Sequence, residues 1–207
     1  MKTFIKNLIR SCFEPRMKWD FGGIKRTRVS NTASFNHPER INLGKNVFIG
    51  HAAHLDGTGE LVIQDNCQIG NAVQILTHSS HVAIRLYGEH YCDIDEDQKQ
   101  GFWTQKLVIG KCTFVGPQAM ILPGVTSIGI GCFIHPGAIV TKNLPDFTEF
   151  HRDGTMTDRL ADDMKYMGLD NRFPQFYLQW VGDHHRAKEF EAAYRWALNA
   201  WQKGRGE

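Results

Sequence analysis

The 207-residue sequence carries no strong charge of either sign. Its 24 Lys and Arg against 22 Asp and Glu leave a formal net charge of +2, which removes any general electrostatic case for a nucleic-acid partner. No run approaches the roughly 18 consecutive apolar residues that a membrane span needs. The five cysteines, Cys12, Cys67, Cys92, Cys112 and Cys132, are odd in number and lack a CxxC spacing. Neither a disulfide framework nor a cysteine zinc site is read from them, and a reducing cytoplasm is the expected compartment. A GxSxG elbow is also missing, which argues against a covalent acyl-serine intermediate. The N-terminal stretch Met1 to Arg10 is basic and amphipathic, with Phe4, Ile5, Leu8 and Ile9. It has no apolar run or cleavage site of a signal peptide. Two readings stand open for it: a short helix against the end of the fold, or a weak membrane-surface contact.

Over residues 43–140 the two ordinary periods, 3.6 and 2, are absent as well. A period of six replaces them. Large aliphatics recur at Leu43, Ile49, Leu55, then Ile63, Ile69, Ile75, then Ile109, Val115, Ile121, then Ile128, Ile134, Val140. Glycine often follows, as at Gly44, Gly50, Gly70, Gly110, Gly116 and Gly129. A small or β-branched residue often sits two positions earlier, as at Val47, Ala53, Cys67, Val73, Thr113, Ala119, Cys132 and Ala138. Six residues fit a short strand and a corner, and such a repeat predicts a parallel β-solenoid. Glycine, or Asn as in Lys45-Asn46 and Asp65-Asn66, is expected to supply positive φ at the corners. Three faces make a coil of about 18 residues with the aliphatics stacked inside. At roughly 1.5–3 kcal/mol per fully buried aliphatic, the columns form a core without any helix. Residues 28–42, with Val29, Phe35 and Ile41, read as a degenerate starting coil that caps the open edge.

The beat is broken between Thr77 and about Lys106. A long insertion in a compact repeat is functional or disordered. This one opens Thr77-His78-Ser79-Ser80-His81 and continues with Tyr87, His90, Tyr91, Asp93, Asp95, Glu96, Asp97, Phe102 and Trp103. Histidines, acids and aromatics together suit a pocket for a polar small molecule. His78 follows the last core contact of its face closely, so a rigid strand aims it, and a neutral imidazole is a natural general base. Beyond Asp146 the beat ends. Asp183 to Trp201 predicts a helix with Asp183 as N-cap and Phe190, Tyr194, Ala197 and Trp201 on one stripe. The expected organisation is an N-terminal segment 1–42, a β-helix 43–145 and a helical extension 146–207.

With these motifs assembled, the chain resembles the hexapeptide-repeat acyltransferases, and within them the sugar O-acetyltransferases. The coils 43–76 and 109–140 carry the resemblance. So does Thr77-His78-Ser79-Ser80-His81, which is similar to a Gly-His-Pro-x-His motif at the same point. The third element is Ile121-Leu122-Pro123-Gly124-Val125 with Pro136-Gly137-Ala138-Ile139-Val140-Thr141-Lys142. The resemblance implies a left-handed parallel β-helix, a homotrimer with active sites between subunits, and acetyl-CoA as acyl donor. It implies His78 as the general base, and contacts to the donor from Gly116, Pro117, Pro136, Gly137, Thr141 and Lys142. Two departures stand out. Asn143-Leu144-Pro145-Asp146-Phe147 replaces the usual Gly-x-Pro-Ala-Lys-type ending, and Pro136 replaces a smaller residue.

The implied reaction is direct transfer of an acetyl group to a sugar or glycan hydroxyl, with an acceptor facing His51, His54, Asp56, His81, Asp93 and Trp103. N-acetyl transfer to an amino sugar uses the same fold and base and stays open. A structural, non-enzymatic solenoid is the third reading; it predicts regular side-chain ladders and no pocket-like loop. The related γ-type carbonic anhydrases need two histidines on the coil after the first ligand. Val115 to Met120 has none, and no metal site is read.

Overall fold

The computed structural model describes residues 17–19, 23–24, 26–160, 163 and 175–203. The amphipathic Met1–Arg10 stretch, Cys12, Met164, Tyr166, Met167 and Phe173 lie outside them. The chain divides into two compact units, Met1–Met156 and Thr157–Glu207.

In the first unit the chain winds through three parallel sheets in turn. Face one stacks Arg28–Ser30, Phe48–Ile49, Gln68–Ile69, Phe114–Val115, Phe133–Ile134 and Thr148–Phe150. Face two stacks Ser34–Asn36, His54–Asp56, Gln74–Ile75, Met120–Ile121 and Ile139–Val140. Face three stacks Ile41–Leu43, Leu61–Ile63, Leu107–Ile109 and Ser127–Ile128. The register is direct: Phe48 pairs with both Arg28 and Gln68, and Leu55 with Phe35 and Ile75. Each turn therefore sets one six-residue beat above another, and backbone N–H groups find carbonyls one coil away, as Phe48 does at Cys67 and Gly50 at Ile69.

The beat runs further than the 43–145 range expected of it. Residues 28–43 form a regular coil rather than a degenerate one. Its open edge on face one is closed by Met17–Trp19, which pairs antiparallel with Arg28–Ser30, so the strand edge is covered rather than left to recruit another chain. At the other end Leu144 bridges Ile128, and Thr148–Phe150 pairs with Phe133 and Ile134. Phe150 thus continues the inner column of Val29, Ile49, Ile69, Val115 and Ile134, all 2% exposed or less.

The glycines that follow the beat have a different role from the one expected. Gly50, Gly70 and Gly116 are not in the left-handed region. A Cβ added to Gly70 would sit 2.6 Å from the Pro117 nitrogen, and one on Gly116 would sit 2.5 Å from the Pro136 nitrogen. These glycines let adjacent coils touch backbone to backbone. Positive φ falls at other corner positions: at Asn46 (56°) and Asn66 (63°), as expected of them, at Ala52 (54°) and Ala72 (54°), and at Gly131 (64°) and Gly137 (72°). The inward small residues also do more than fill space. The Thr27 and Thr113 hydroxyls donate to the carbonyls of Gly44 and Gly129, and the Cys67 thiol lies 3.1 Å from the carbonyl of Gly110. Each satisfies a corner carbonyl the ladder leaves over.

In the second unit the helix expected over Asp183–Trp201 starts later, at Glu191. Gln175–Asp183 ends where Asp183 was expected to cap a start, and Glu191–Lys203 follows after a 3-10 turn at Ala187–Phe190. Gly182 explains the arrangement: a Cβ there would lie 2.5 Å from the Tyr194 hydroxyl, so the two helices meet through that contact. Ala197 and Trp201 are buried. Among the described residues no helix is long and apolar enough to cross a membrane.

Candidate functional site

Face two delivers the site. Leu76 makes the last rung of its column by donating to Ile121, and the chain then leaves the coil. It returns through an antiparallel neck in which His78 pairs with Thr104 and Ser79 with Trp103. Between them the insertion folds into a helix at Ala83–Tyr87 and 3-10 turns at Gly88–Asp93 and Glu96–Gln98. Gly59 lets the neck pass: a Cβ there would lie 2.5 Å from the backbone of Gln105.

At the base of the neck the Asp56 carboxylate is fully buried. One oxygen accepts from the Thr58 amide and hydroxyl and, at 3.2 Å, from Asn36 Nδ2. The other accepts from the Thr77 amide at 2.8 Å and lies 2.6 Å from His78 Nδ1. Burial pushes this carboxyl up. The hydrogen bonds from Thr58, Thr77 and His78 outweigh it and hold Asp56 well below the usual carboxylate range. An anion facing Nδ1 selects the tautomer with its proton on that nitrogen, which leaves Nε2 as the lone-pair nitrogen. The His78 ring is stacked on Phe102, with centroids 5.4 Å apart, and its side chain is 31% exposed. Asp56 was expected to face the acceptor. Its side chain is instead buried and held against His78.

Two clefts flank the neck. One, of about 510 Å³, is lined by His37, Arg40, Thr58, Glu96, Asp97, Lys99, Phe102 and Thr104. The other, of about 430 Å³, is lined by Thr77, Ser79, His81, Trp103, Thr104, Gln105 and the Leu122-Pro123-Gly124 corner. His78 lines neither wall directly. Thr77 and Ser79 border the second cleft, and Phe102, on which its ring stacks, borders the first.

The other expected site residues fall into three places. His81 and Trp103 meet edge to face at 5.0 Å in the second cleft. His51 and His54 are held one coil back by the hydroxyls of Ser30 and Ser34, at 2.6 and 2.9 Å, and line neither cleft. Asp93 is exposed on the insertion beside His90. Of the expected donor contacts, Thr141 and Lys142 follow the face-two strand Ile139–Val140, on the corner next to Leu122. Gly116, Pro117, Pro136 and Gly137 precede the face-two strands, and Gly137 donates to Pro117. The two sets therefore lie at opposite ends of the same face.

Glu96, Asp97 and Phe102, from the expected acids and aromatics of the insertion, line the first cleft; residues not anticipated from the sequence are Arg40 and Lys99 at that cleft, and Thr58 and Thr77 around Asp56. Thr77 alone carried a signal, through its place in the motif. A separate group, His135, Glu149 and His151, converges on face one.

No protein-family model matches the chain, and no curated protein matches it. Solved structures do. AntD from Bacillus cereus, an N-acyltransferase in complex with dTDP and 3-hydroxybutyryl-CoA, superposes with a TM-score of 0.52 at 19% identity, over 70% of this chain and 87% of its own. A hexapeptide-repeat acetyltransferase from Vibrio cholerae with acetyl coenzyme A gives 0.41 at 23% identity, over 56% and 57% of the two chains. A galactoside acetyltransferase in complex with coenzyme A gives 0.41 at 22%, over 56% and 52%. At such identity the likeness to AntD shows a shared fold.

Proposed function

We propose that this protein is an acetyl-CoA-dependent O-acetyltransferase that acts on a hydroxyl of a sugar or glycan, with His78 as general base and Asp56 as the residue that positions it. The observation that carries the reading is the 2.6 Å contact between His78 and a fully buried, multiply hydrogen-bonded Asp56 at the neck of the insertion. A solvated turn histidine has no use for a buried carboxylate, and keeping an anion there demands several donors. A base that must take a proton from a hydroxyl does have a use for it. The fixed anion holds the ring in one tautomer and offers a counter-charge to the imidazolium that forms.

The two clefts suit the two substrates. Arg40, Glu96, Asp97 and Lys99 offer donors and acceptors for sugar hydroxyls. Trp103, Leu122, Pro123 and Gly124 offer a less polar trough for a pantetheine-like chain, with Thr141 and Lys142 on the adjoining corner. Acetyl-CoA supplies the activated thioester. His78 Nε2 takes the proton of the acceptor hydroxyl as its oxygen attacks, and returns it to the departing thiolate. Gly116, Pro117, Pro136 and Gly137 lie at the other end of face two, so they can complete a site only on a neighbouring subunit, as in a homotrimer with interfacial sites. The coil is taken as left-handed and the protein as cytoplasmic.

N-acetyl transfer to an amino sugar is the nearest rival. An amine is a good nucleophile once deprotonated and leans less on a base than a hydroxyl does. Thiol release from acetyl-CoA against hydroxyl and amino-sugar acceptors, with the native chain and His78→Ala side by side, is the test. The reading expects turnover on a hydroxyl acceptor that drops by about 10²-fold or more in the variant. Turnover confined to amines with a small drop would favour the rival. Absence of turnover and of acetyl-CoA binding by calorimetry would favour a structural solenoid.

A further inference from the structure

We infer that His135, Glu149 and His151 form a binding site for a divalent transition-metal ion of the zinc class on face one. The three residues come from the last two strands of that face. Phe133 pairs with Glu149 and Ile134 with Phe150, which sets His135 beside His151. Strand alternation turns Ile134 and Phe150 into the core, where they are 0% and 1% exposed, and turns the two histidines and the glutamate outward on one surface. His135 Nε2 lies 2.6 Å from Glu149 Oε1, the two imidazole centroids are 4.5 Å apart, and one ligand atom from each residue falls within 4.8 Å of the others.

Two imidazoles and a carboxylate are the donor set of three-ligand zinc sites, which keep one position open. Nitrogen and oxygen ligands at about 2.0–2.1 Å from a tetrahedral ion lie about 3.3 Å apart. The ligand atoms, within 4.8 Å of one another, would close to that spacing around an ion that displaces the His135–Glu149 hydrogen bond. All three side chains are half-buried on a rigid rung, which limits the entropy lost on binding. Phe133 packs against His135 at 4.7 Å between centroids and holds one ring. Asp153, beside His151 in the next turn, adds negative field while its own carboxylate stays tied to Thr155. An ion here would tie the fifth coil to the strand that closes the stack, so binding should raise the thermal midpoint.

Chelator-treated full-length protein titrated with Zn²⁺ by calorimetry, and with Co²⁺ by visible absorption, tests this. One ion per chain is expected, with d–d absorption in the Co²⁺ form and an increase in Tm. Glu149→Gln and His151→Ala should each weaken binding by about a hundredfold or more, more than loss of an outer-shell partner does, and remove the Tm shift. His78→Ala and His184→Ala should change neither. Failure of the native chain to bind saturably overturns the inference. So does binding that survives Glu149→Gln, a near-isosteric change that keeps the fold, or binding lost in His184→Ala.

Discussion

Asp56→Asn is the sharpest perturbation of the candidate centre. The carboxylate accepts six hydrogen bonds, three on each oxygen: Thr58 amide, Thr58 hydroxyl and Asn36 on one, Thr77 amide, Thr77 hydroxyl and His78 on the other. Asparagine replaces one oxygen by an NH₂, and no flip avoids a donor facing donors. If the NH₂ faces His78, Nδ1 must present its lone pair, the ring proton moves to Nε2, and the base is lost. If it faces Thr58, that amide is left unsatisfied in a buried pocket. Losing charge-assisted bonds worth about 1.5–3 kcal/mol each, partly replaced by neutral ones, should destabilise the fold by about 2–4 kcal/mol. Turnover should fall by about 10²–10⁴-fold with the acetyl-CoA KM little changed. The double variant with His78→Ala should be no slower than His78→Ala alone, because the two residues act as a unit. Long-range ¹H–¹⁵N NMR of the imidazole gives a readout that needs no acceptor: a proton on Nδ1 of His78 in the native chain. A native Nε2–H tautomer, or a folded Asp56→Asn protein within about threefold of native turnover, would refute the dyad.

Because the Asp56 carboxyl is held below its ordinary value in the fold, its stabilisation is complete above the ordinary carboxylate pKa and is lost as pH falls below it; acid unfolding monitored by circular dichroism should lose this component in Asp56→Asn. Gly116→Ala forces a methyl to within 2.5 Å of the Pro136 nitrogen and should lower stability by about 1–3 kcal/mol or more. Gly88→Ala has open space around it but a φ of 48° with a ψ of −122°, outside the left-handed α region, so it should cost a backbone penalty of about 1–3 kcal/mol without any clash; urea melts measure both. Burial pushes the Cys67 thiol up to about 12, so with a thiol reagent at neutral pH the exposed Cys92 should react first and Cys67 only on unfolding.

The solenoid was legible because its period is set by the inner column, and burial of one residue per face leaves no freedom in the aliphatic beat. The limits of the coil stack were less legible, because the end coils keep the geometry with other residues. Phe35 and Phe150 stand where the interior carries Leu or Ile, and Leu144 holds its place through a single bridge. The glycines show a different blind spot. A sequence reveals that a position tolerates no side chain, and only the neighbouring coil reveals whether the reason is φ or a backbone 2.6 Å away. In the second unit the stripe of Phe190, Tyr194, Ala197 and Trp201 marks the helix Glu191–Lys203, while the start expected at Asp183 is where the preceding helix ends.

At the site, His78 stands out in the sequence by its place at the mouth of the insertion, while Asp56, expected to face the acceptor, is buried against it. The difference has a geometric origin. Asp56 and His78 are 22 residues apart, and an outward or inward position at the end of a strand depends on how the next strand leaves the coil. The first two coils place residue i above residue i+20, as Asn46 above Asn66 and Lys45 above Asp65. That offset puts Asp56 directly under Leu76, one step from the exit of the chain, where a carboxylate can turn toward His78. The insertion and the shorter later coils then change the offset, to 16 between Phe133 and Glu149. His135 and His151 therefore share no motif and no repeat spacing that a linear reading could detect. Register, rather than composition, decides which polar residues meet on a solenoid, so chemistry at its two ends must be read coil by coil.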